Sequence, residues 1–217
     1  MANKGLARGI FITFEGPEGC GKSTQSKLLY DYLTKKFYSC VHTREPGGTK
    51  TGEHIRRILL GLRGISITPL VELLLFEASR SQLVDSLIRP SLADKKIVIC
   101  DRFSDATMSY QGYGGRVPLE TVEMIDEIAT GSLKPDITIL LDIDTVTGLK
   151  RARLKGADRM ELKDISYHKR VRSGYLKLSK KYPDRIKVIK VHDGIIRTQE
   201  LVRREVELVI QKYKRPG

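Results

Sequence analysis

The sequence predicts an α/β fold in which a five-stranded parallel sheet carries helices on both faces. Short apolar runs alternate along the chain with patterns of helical spacing, which is typical of such sheets. The 217 residues suffice for one domain with its own hydrophobic core. The chain contains no internal repeat and no low-complexity linker. We therefore expect a single domain that spans residues 1–217.

The strands are predicted from apolar runs of about four to eight residues, the length of strands that are buried on both faces. In chain order, these runs cover residues 9–14 (GIFITF), 40–43, 96–100, 136–143 and 186–191. Ligands of such sheets bind beyond the carboxyl ends of the strands. Polar side chains that follow these runs are therefore the candidates for chemistry.

The helices are predicted from apolar residues that recur at helical spacing between the strands. One long helix begins at Thr68-Pro69, because threonine is a good N-cap and proline suits the first turn. The other helical patterns lie near residues 24–36, 118–130, 144–154, 161–182 and 197–213.

The composition restricts the class of protein. The formal net charge of +13 suits anionic partners such as nucleotides or nucleic acid. No apolar stretch is long enough for a membrane span, and the amino-terminal residues lack the apolar core of a secretion signal. The three cysteines have neither disulfide-scaffold nor zinc-site spacing. We expect a cytoplasmic protein that does not bind a membrane.

The stretch EGPEGCGKST, residues 15–24, contains the phosphate-binding pattern Gly16-x-x-x-x-Gly21-Lys22-Ser23. It follows the first predicted strand and precedes a helix, as this motif requires. Its glycines let backbone N–H groups surround an anion, and the helix N-terminus adds further donors. Lys22 brings a positive charge, and the Ser23 hydroxyl can ligate Mg²⁺. We expect ATP with Mg²⁺ to bind at Gly16, Gly19, Gly21, Lys22, Ser23 and Thr24.

A phosphate loop alone does not select a function, because GTPases, motors and small-molecule kinases all use one. A GTPase would carry a base-reading motif after a later strand, and DIDTVTGLKRAR (residues 142–153) lacks it. The positive charge also leaves open a non-catalytic module that binds nucleic acid. We expect no nucleic-acid partner, because the basic excess lies mostly in residues 150–187 and neighbouring helices.

Two arginines follow predicted strands on the same sheet edge as the phosphate loop. Arg44 follows the second strand and Arg102 the third. Their planar guanidinium groups suit the phosphate of a second, smaller nucleotide, although a surface salt bridge is the alternative for either one. Asp101, which ends the third strand, can hold Mg²⁺ through water or orient Arg102.

Arg80 interrupts an apolar stripe on the long helix, one turn after Phe76. A charge in such a stripe needs a partner. One candidate is the edge of a base whose ring stacks on Phe76. The other is a carboxylate such as Glu77 or Glu45, and the pattern alone does not decide between them.

Five stretches together resemble the thymidylate kinases: FEGPEG, TREPGGT, FEASR, DRF and SYQG, in this order and at roughly the family's spacing. The resemblance runs from about residue 9 to about residue 212. It implies the P-loop NTPase fold of nucleoside monophosphate kinases. It also implies transfer of the terminal phosphate of ATP to dTMP, Mg²⁺ as cofactor, and a homodimer.

The resemblance assigns roles to individual residues. It gives Phe76 the stacking contact with thymine and Arg80 the thymine carbonyl, which favours the base over a carboxylate as the partner of Arg80. The remaining acceptor-side assignments are Arg44 and Arg102 to the acceptor phosphate, Tyr110 to the deoxyribose, Gln111 and Thr107 to the base, and Glu18 to the region of the 3′-hydroxyl.

Gly19 is a subtype signal, because some members of the family carry an arginine directly after the loop carboxylate. Members without it resemble this chain in placing arginines in a mobile lid, here about residues 151–161. Arg151, Arg153 and Arg159 lie in this segment, and we favour Arg153 and Arg159 as the contacts of the terminal phosphate. With Lys22, Arg102 and Glu18 they form the expected catalytic set.

Overall fold

The computed structural model describes residues 5–61, 66–154, 156, 158–191 and 194–214. Within them, a parallel sheet of five strands has the order β2-β3-β1-β4-β5. All five strands lie within one residue of their predicted bounds. They are β1 Ile10–Glu15, β2 Cys40–Arg44, β3 Ile97–Asp101, β4 Ile137–Asp142 and β5 Ile186–Lys190.

The helices cover the sheet on both faces. Alternate residues of β1 serve opposite faces, as the period of a strand requires. Ile10 and Ile12 pack in the cluster that contains Leu29 and Val206, whereas Phe11 packs in the cluster of Leu83. The helices are α1 Lys22–Lys35, α2 Lys50–Arg56, α3 Pro69–Leu83, α4 Arg89–Ala93, α5 Ser104–Thr107, α6 Leu119–Thr130, α7 Thr145–Arg153, α8 Ile165–Lys181 and α9 Ile195–Lys212.

Two helical regions differ from the sequence prediction. Helix α2 continues as a π-helical turn, Arg57–Gly61, and α5 continues as another, Met108–Gly114. Neither region was predicted, because glycines, which are typical of loops, interrupt both of them. Helix α8 begins later than the predicted residue 161, because the Asp164 side chain accepts from the Tyr167 amide and caps the helix there.

The parallel register brings the carboxyl ends of the central strands together. Phe14 of β1 lies beside Asp101 of β3, and Arg44 of β2 also lies beside Asp101. Residues that follow β1, β2 and β3 therefore meet at one edge of the sheet. In the described part of the chain, no helix is both long and apolar enough to span a membrane.

Candidate active site

The phosphate loop, residues 16–23, joins β1 to α1. Gly21 is the N-cap of α1 and has a φ of 94°, which glycine adopts without strain. The Lys22 ammonium group is buried and donates to the carbonyl oxygens of Gly16 and Pro17, at 3.0 and 2.9 Å. The loop thus folds around its own lysine, and the positive charge lies beside the helix N-terminus.

Two glycines let the phosphate loop pack directly on helix α7. A Cβ built on Gly19 would lie 2.0 Å from the carbonyl oxygen of Gly148, and Gly19 has a φ of 67°. A Cβ on Gly148 would lie 2.3 Å from the carbonyl oxygen of Glu18. The contact is therefore made by backbone on both sides, and a side chain at either position would separate them.

Ser23 and Asp101 form an oxygen-rich pair at the entrance of α1. The Ser23 hydroxyl donates to Oδ2 of Asp101 at 2.5 Å. Hydroxyl and carboxylate oxygens are ligands that Mg²⁺ prefers, and Mg²⁺ commonly takes only one or two protein ligands beside phosphates and water. Among the described residues, no group of three or more His, Cys, Asp or Glu side chains could cage a metal by itself. The pair therefore fits a Mg²⁺ ion that is shared with a nucleotide.

Arg102 and Glu18 face each other across the site. Nη2 of Arg102 donates to both carboxylate oxygens of Glu18, at 2.9 and 3.0 Å, and the Tyr110 hydroxyl donates to Oε1 at 2.6 Å. Burial disfavours ionisation of Glu18, but Arg102, Lys22 and Tyr110 outweigh it and lower its pKa to about 2. Glu18 is therefore a permanent carboxylate at neutral pH.

The backbone of Arg102 is held in an uncommon conformation. Its φ is 75°, in the left-handed region that residues other than glycine rarely adopt. The Arg102 amide donates to the carbonyl oxygen of Phe14 at 3.0 Å, and the guanidinium lies over the Tyr110 ring, 4.8 Å from its centroid. These contacts direct the side chain across the end of β1 toward the phosphate loop.

Glu15, which ends β1, was not among the predicted site residues. Its carboxylate accepts from the Phe103 amide at 2.7 Å and from the Tyr175 hydroxyl at 2.8 Å. Burial and the neighbouring Asp105 raise the pKa of Glu15 to about 8. The sequence signal was a carboxylate at the end of an apolar strand. Through Tyr175, whose hydroxyl lies 3.4 Å from Nη1 of Arg102, Glu15 links helix α8 to that arginine.

Arg80 is paired with carboxylates. Its side chain is 1% exposed, and it donates to Glu45 at 2.8 Å, to Asp126 at 3.1 Å and to Glu77. The carboxylate partners that the sequence left open as the alternative for Arg80 are therefore present, and the thymine contact that the resemblance implies stays a prediction. A buried guanidinium needs compensating charge, and Glu45 and Glu77 lie within hydrogen-bond distance of it. Burial, against the opposing effect of Arg80, raises the pKa of Glu45 to about 7.

Arg44 lies at the rim and is half exposed. It forms an ion pair with Glu53 at 3.3 Å, which is the surface salt bridge that the sequence left open as the alternative. Exposed pairs of this kind contribute little to stability, so the arginine can exchange Glu53 for another anion at small cost.

Most of the predicted residues line one cavity of about 620 Å³. It extends from the phosphate loop to the face of α3 that carries Phe76, and its volume suits small-molecule ligands. Gly16, Arg153 and Arg159 are the predicted residues that do not line it. Those that do are Glu18, Gly19, Gly21, Lys22, Ser23, Thr24, Arg44, Phe76, Arg80, Asp101, Arg102, Thr107, Tyr110 and Gln111.

The two favoured lid arginines have other partners in the structure. Arg159 donates from Nε to the carbonyl oxygen of Leu59 at 2.7 Å and pairs with Glu72 at 2.6 Å. Arg153 donates to the carbonyl oxygen of Glu161 at 3.1 Å. The expectation that these two arginines point at the donor phosphate is therefore not met in this conformation.

Arg151, which the sequence did not favour, lines the cavity instead. Helix α7 turns this side chain toward the phosphate loop because residues at spacings of three and four share a face, and Gly148 of α7 lies against that loop. Lys155 and Ala157 of the segment lie outside the described residues.

Comparisons with known proteins agree with this geometry. The family model described as thymidylate kinase matches residues 14–202. A thymidylate kinase of Dehalococcoides mccartyi is 52% identical over 176 residues, 81% of this chain and 85% of the relative. One of Caldanaerobacter subterraneus is 46% identical over 207 residues, 95% and 99% of the two chains.

A solved structure is also similar. It is the crystal structure of thymidylate kinase from Ehrlichia chaffeensis, with a TM-score of 0.75 and 36% identity, covering 92% of this chain and 98% of that one. The family model covers well over half of the chain, and its matched region includes the phosphate loop, α3 and the segment between α7 and α8. The chain therefore belongs to the thymidylate kinase family.

Proposed function

We propose that this chain transfers the terminal phosphoryl group of ATP to dTMP and so forms ADP and dTDP. The observation that carries the proposal is that one cavity joins the phosphate loop to the aromatic wall at Phe76. One end offers backbone amides and Lys22 to a triphosphate, and the other offers an aromatic face to a base. A donor and an acceptor can thus lie end to end.

At the donor end, the phosphate loop would hold the β- and γ-phosphates of ATP. Lys22, now bonded to loop carbonyls, would donate to phosphate oxygens instead. Ser23 and Asp101 would hold Mg²⁺, directly or through water. When bound, this ion neutralises charge on the phosphate oxygens.

At the acceptor end, Arg102 and Arg44 would hold the phosphate of dTMP. Arg102 has Nη1 available for this, since its bonds to Tyr175 and Gly16 are long, at 3.4 and 3.5 Å. Glu18 keeps Arg102 in place and would lie near the sugar, over which Tyr110 packs. The geometry supports positioning of the acceptor oxygen in line with the donor phosphorus.

The base would lie between Phe76 and the polar groups of α3 and α5. Phe76 is half-buried and lines the cavity, which supports stacking. Thr107 and Gln111 are buried and line the same end, and Arg80 reaches it while it keeps its carboxylate partners. Polar groups that go unpaired without the right base give the strongest discrimination.

Transfer needs no strong base, because the acceptor is already an anion. Catalysis then rests on positioning and on neutralisation of charge by Lys22, Arg102 and the lid arginines. We propose that residues 151–161 form a lid that closes over ATP before transfer and excludes water. The position of Arg151 at the cavity wall supports a role for it beside Arg153 in that closed state.

We also propose a homodimer. Helices α3 and α6 pack together and expose large apolar side chains on their outer surface, which a second copy of the chain would cover. These side chains are Leu70, Val71, Leu74, Met124 and Ile128, each between 47% and 76% exposed. Sedimentation equilibrium would test this, and a mass of one chain at all concentrations would contradict it.

The free thiols of Cys20, Cys40 and Cys100 support a reducing, cytoplasmic compartment for this reaction.

The decisive experiment is an acceptor profile. ADP release is measured with ATP and Mg²⁺ against dTMP, dUMP, CMP and AMP, with EDTA and no-acceptor controls. We expect dTMP to be the best acceptor, dUMP the second, and EDTA to abolish turnover. Faster turnover of AMP or CMP than of dTMP would contradict the proposal.

A further inference from the structure

A buried carboxylate on α3 collects donors from distant parts of the chain. The side chain of Glu72 is 2% exposed. Gln111 donates to its Oε1 at 2.9 Å, and Lys163 donates to Oε1 and Oε2 at 3.0 and 3.1 Å. Arg159 pairs with its Oε2 at 2.6 Å. One carboxylate therefore accepts from three donors. None of them belongs to the phosphate loop or to the proposed contacts of the acceptor phosphate.

These donors belong to two different parts of the proposed site. Gln111 lines the base end of the cavity, in the π-helical turn that follows α5. Arg159 and Lys163 lie between α7 and α8, in and just after the proposed lid. Glu72 is thus the shared contact of the base pocket and the lid segment.

On the lid side of this cluster, hydrogen bonds hold the backbone on both sides of Arg159. Asp158 accepts from the backbone amides of Met160 and Glu161, at 2.8 and 3.0 Å, which closes a turn around Arg159. The Arg159 guanidinium also bonds the Leu59 carbonyl. A movement of the Glu72 carboxylate would therefore move the whole turn and not only the Arg159 side chain.

We propose that Glu72 is a positioning residue that couples occupancy of the base end of the cavity to the placement of residues 158–163. The inference rests on the proposed function, because it takes dTMP as the acceptor. When Gln111 turns its amide toward a base, Glu72 loses one donor and keeps only the two cations of the lid segment. The lid is then held more tightly, and ATP binds better beneath it. By thermodynamic linkage, ATP must strengthen dTMP binding by the same factor.

The test is a binding cycle. The Kd of a non-hydrolysable ATP analogue with Mg²⁺ is measured by calorimetry with and without saturating dTMP. In the wild type, we expect saturating dTMP to lower the Kd of the analogue by on the order of fivefold or more. In Glu72→Gln, the ratio of the two Kd values should fall close to one. The glutamine oxygen can still accept from Gln111, but the charge that faces Arg159 and Lys163 is gone.

Two further variants keep the test interpretable. Lys163→Gln removes one cation from the partly exposed side of the cluster and should lose part of the coupling, even if Glu72→Gln fails to fold. Asp31→Asn breaks an exposed pair with Lys27 on α1 and should leave the coupling unchanged. Hydrogen exchange gives a readout without turnover, and the amides of residues 158–163 should exchange faster in Glu72→Gln.

Each outcome bears on one claim. A coupling ratio that is the same in the wild type, Glu72→Gln and Lys163→Gln would overturn the role of Glu72. A Glu72→Gln protein that is less stable but keeps its coupling would also overturn it, because Glu72 would then only stabilise the fold. A wild type that neither binds nor phosphorylates dTMP would instead overturn the proposed function.

Discussion

Nη2 of Arg102 donates to both carboxylate oxygens of Glu18, at 2.9 and 3.0 Å. Glu18 belongs to the phosphate loop and Arg102 follows β3, so the pair joins the two halves of the cavity. The Tyr110 hydroxyl completes the set by donating to the same carboxylate. In this arrangement the arginine is oriented before any substrate binds, and Nη1 remains directed at the space between the loop and α8.

Replacement of Arg102 by lysine should reduce catalysis more than binding. Lysine keeps the positive charge beside Glu18 but lacks the planar fork that holds a phosphate in one orientation. We expect Arg102→Lys to lower kcat by on the order of 10²-fold, with a smaller rise in the KM for dTMP. Steady-state kinetics measure both, with Lys27→Gln on the exposed surface of α1 as the control. An unchanged kcat would contradict the role of Arg102.

Glu15 should make the protein less stable as the pH rises. Its pKa is about 8 in the folded chain and about 4.5 as an ordinary glutamate. The folded state therefore binds one more proton than the unfolded state between these values. This contribution is complete below pH 4.5 and is lost as the pH rises toward 8. The slope it adds to the free energy of unfolding is about −1.4 kcal/mol per pH unit.

Urea unfolding of Glu15→Gln between pH 5.5 and 7.5 tests this effect. In the variant, the free energy of unfolding should fall less steeply with pH, because the contribution of Glu15 is gone. Glu45, whose pKa is also raised, adds the same pH dependence to both proteins. Glu207→Gln is the matched control. The pKa of Glu207 is lowered, so its contribution to the pH dependence of stability lies below pH 5.5. Parallel pH profiles for the wild type and Glu15→Gln would contradict the assignment.

Arg80→Met should be strongly destabilising, because it leaves Glu45 and Glu77 buried without their cation and Asp126 with only the half-exposed Lys134. We expect a loss of about 3–5 kcal/mol in the free energy of unfolding. Asp126→Asn should cost less, since Arg80 keeps two carboxylates. Urea titration measures both losses.

Arg80 should also matter for the base. In any Arg80 variant that folds, the preference for dTMP over CMP in kcat/KM should fall, while the Kd of an ATP analogue stays the same. An equal loss of ATP affinity would place the function of Arg80 elsewhere.

Tyr110 offers a matched pair of substitutions. Tyr110→Phe keeps the ring that would pack on the sugar and removes the hydroxyl that binds Glu18. Tyr110→Leu removes the ring as well. We expect only the leucine variant to accept a 2′-hydroxyl, with the kcat/KM for UMP relative to dUMP rising by about tenfold. The same rise in both variants would show that the hydroxyl, and not the ring, excludes ribonucleotides.

The strands and the phosphate loop were predictable from sequence because their signals are local. An apolar run and a glycine pattern each lie within ten residues, and parallel strands bring their carboxyl ends together. The cluster of Arg102, Asp101 and the loop followed from that topology alone. The turn at Met108–Gly114 was missed because glycines and hydroxyl residues favour loops locally, and packing against α8 overrides this.

The partners of charged residues were not predictable in the same way. Glu45 and Asp126 lie 35 and 46 positions from Arg80 in the chain, and Glu72 lies 91 positions from Lys163. Many carboxylates are available to any arginine at such separations, and only the fold selects among them. The family pattern suggests a role for Arg159, but only the three-dimensional structure shows that Glu72 competes for this side chain.

The backbone contact between Gly19 and Gly148 limits how this enzyme could be re-engineered. Some members of the family carry an arginine at the position of Gly19, but here the first side-chain carbon would overlap the main chain of α7. Grafting that arginine onto this scaffold would push the helix outward and take Arg151 with it. A loop arginine and the proposed lid arginines are therefore alternatives at the level of the backbone, and a chimera would have to exchange the loop and the helix as one unit.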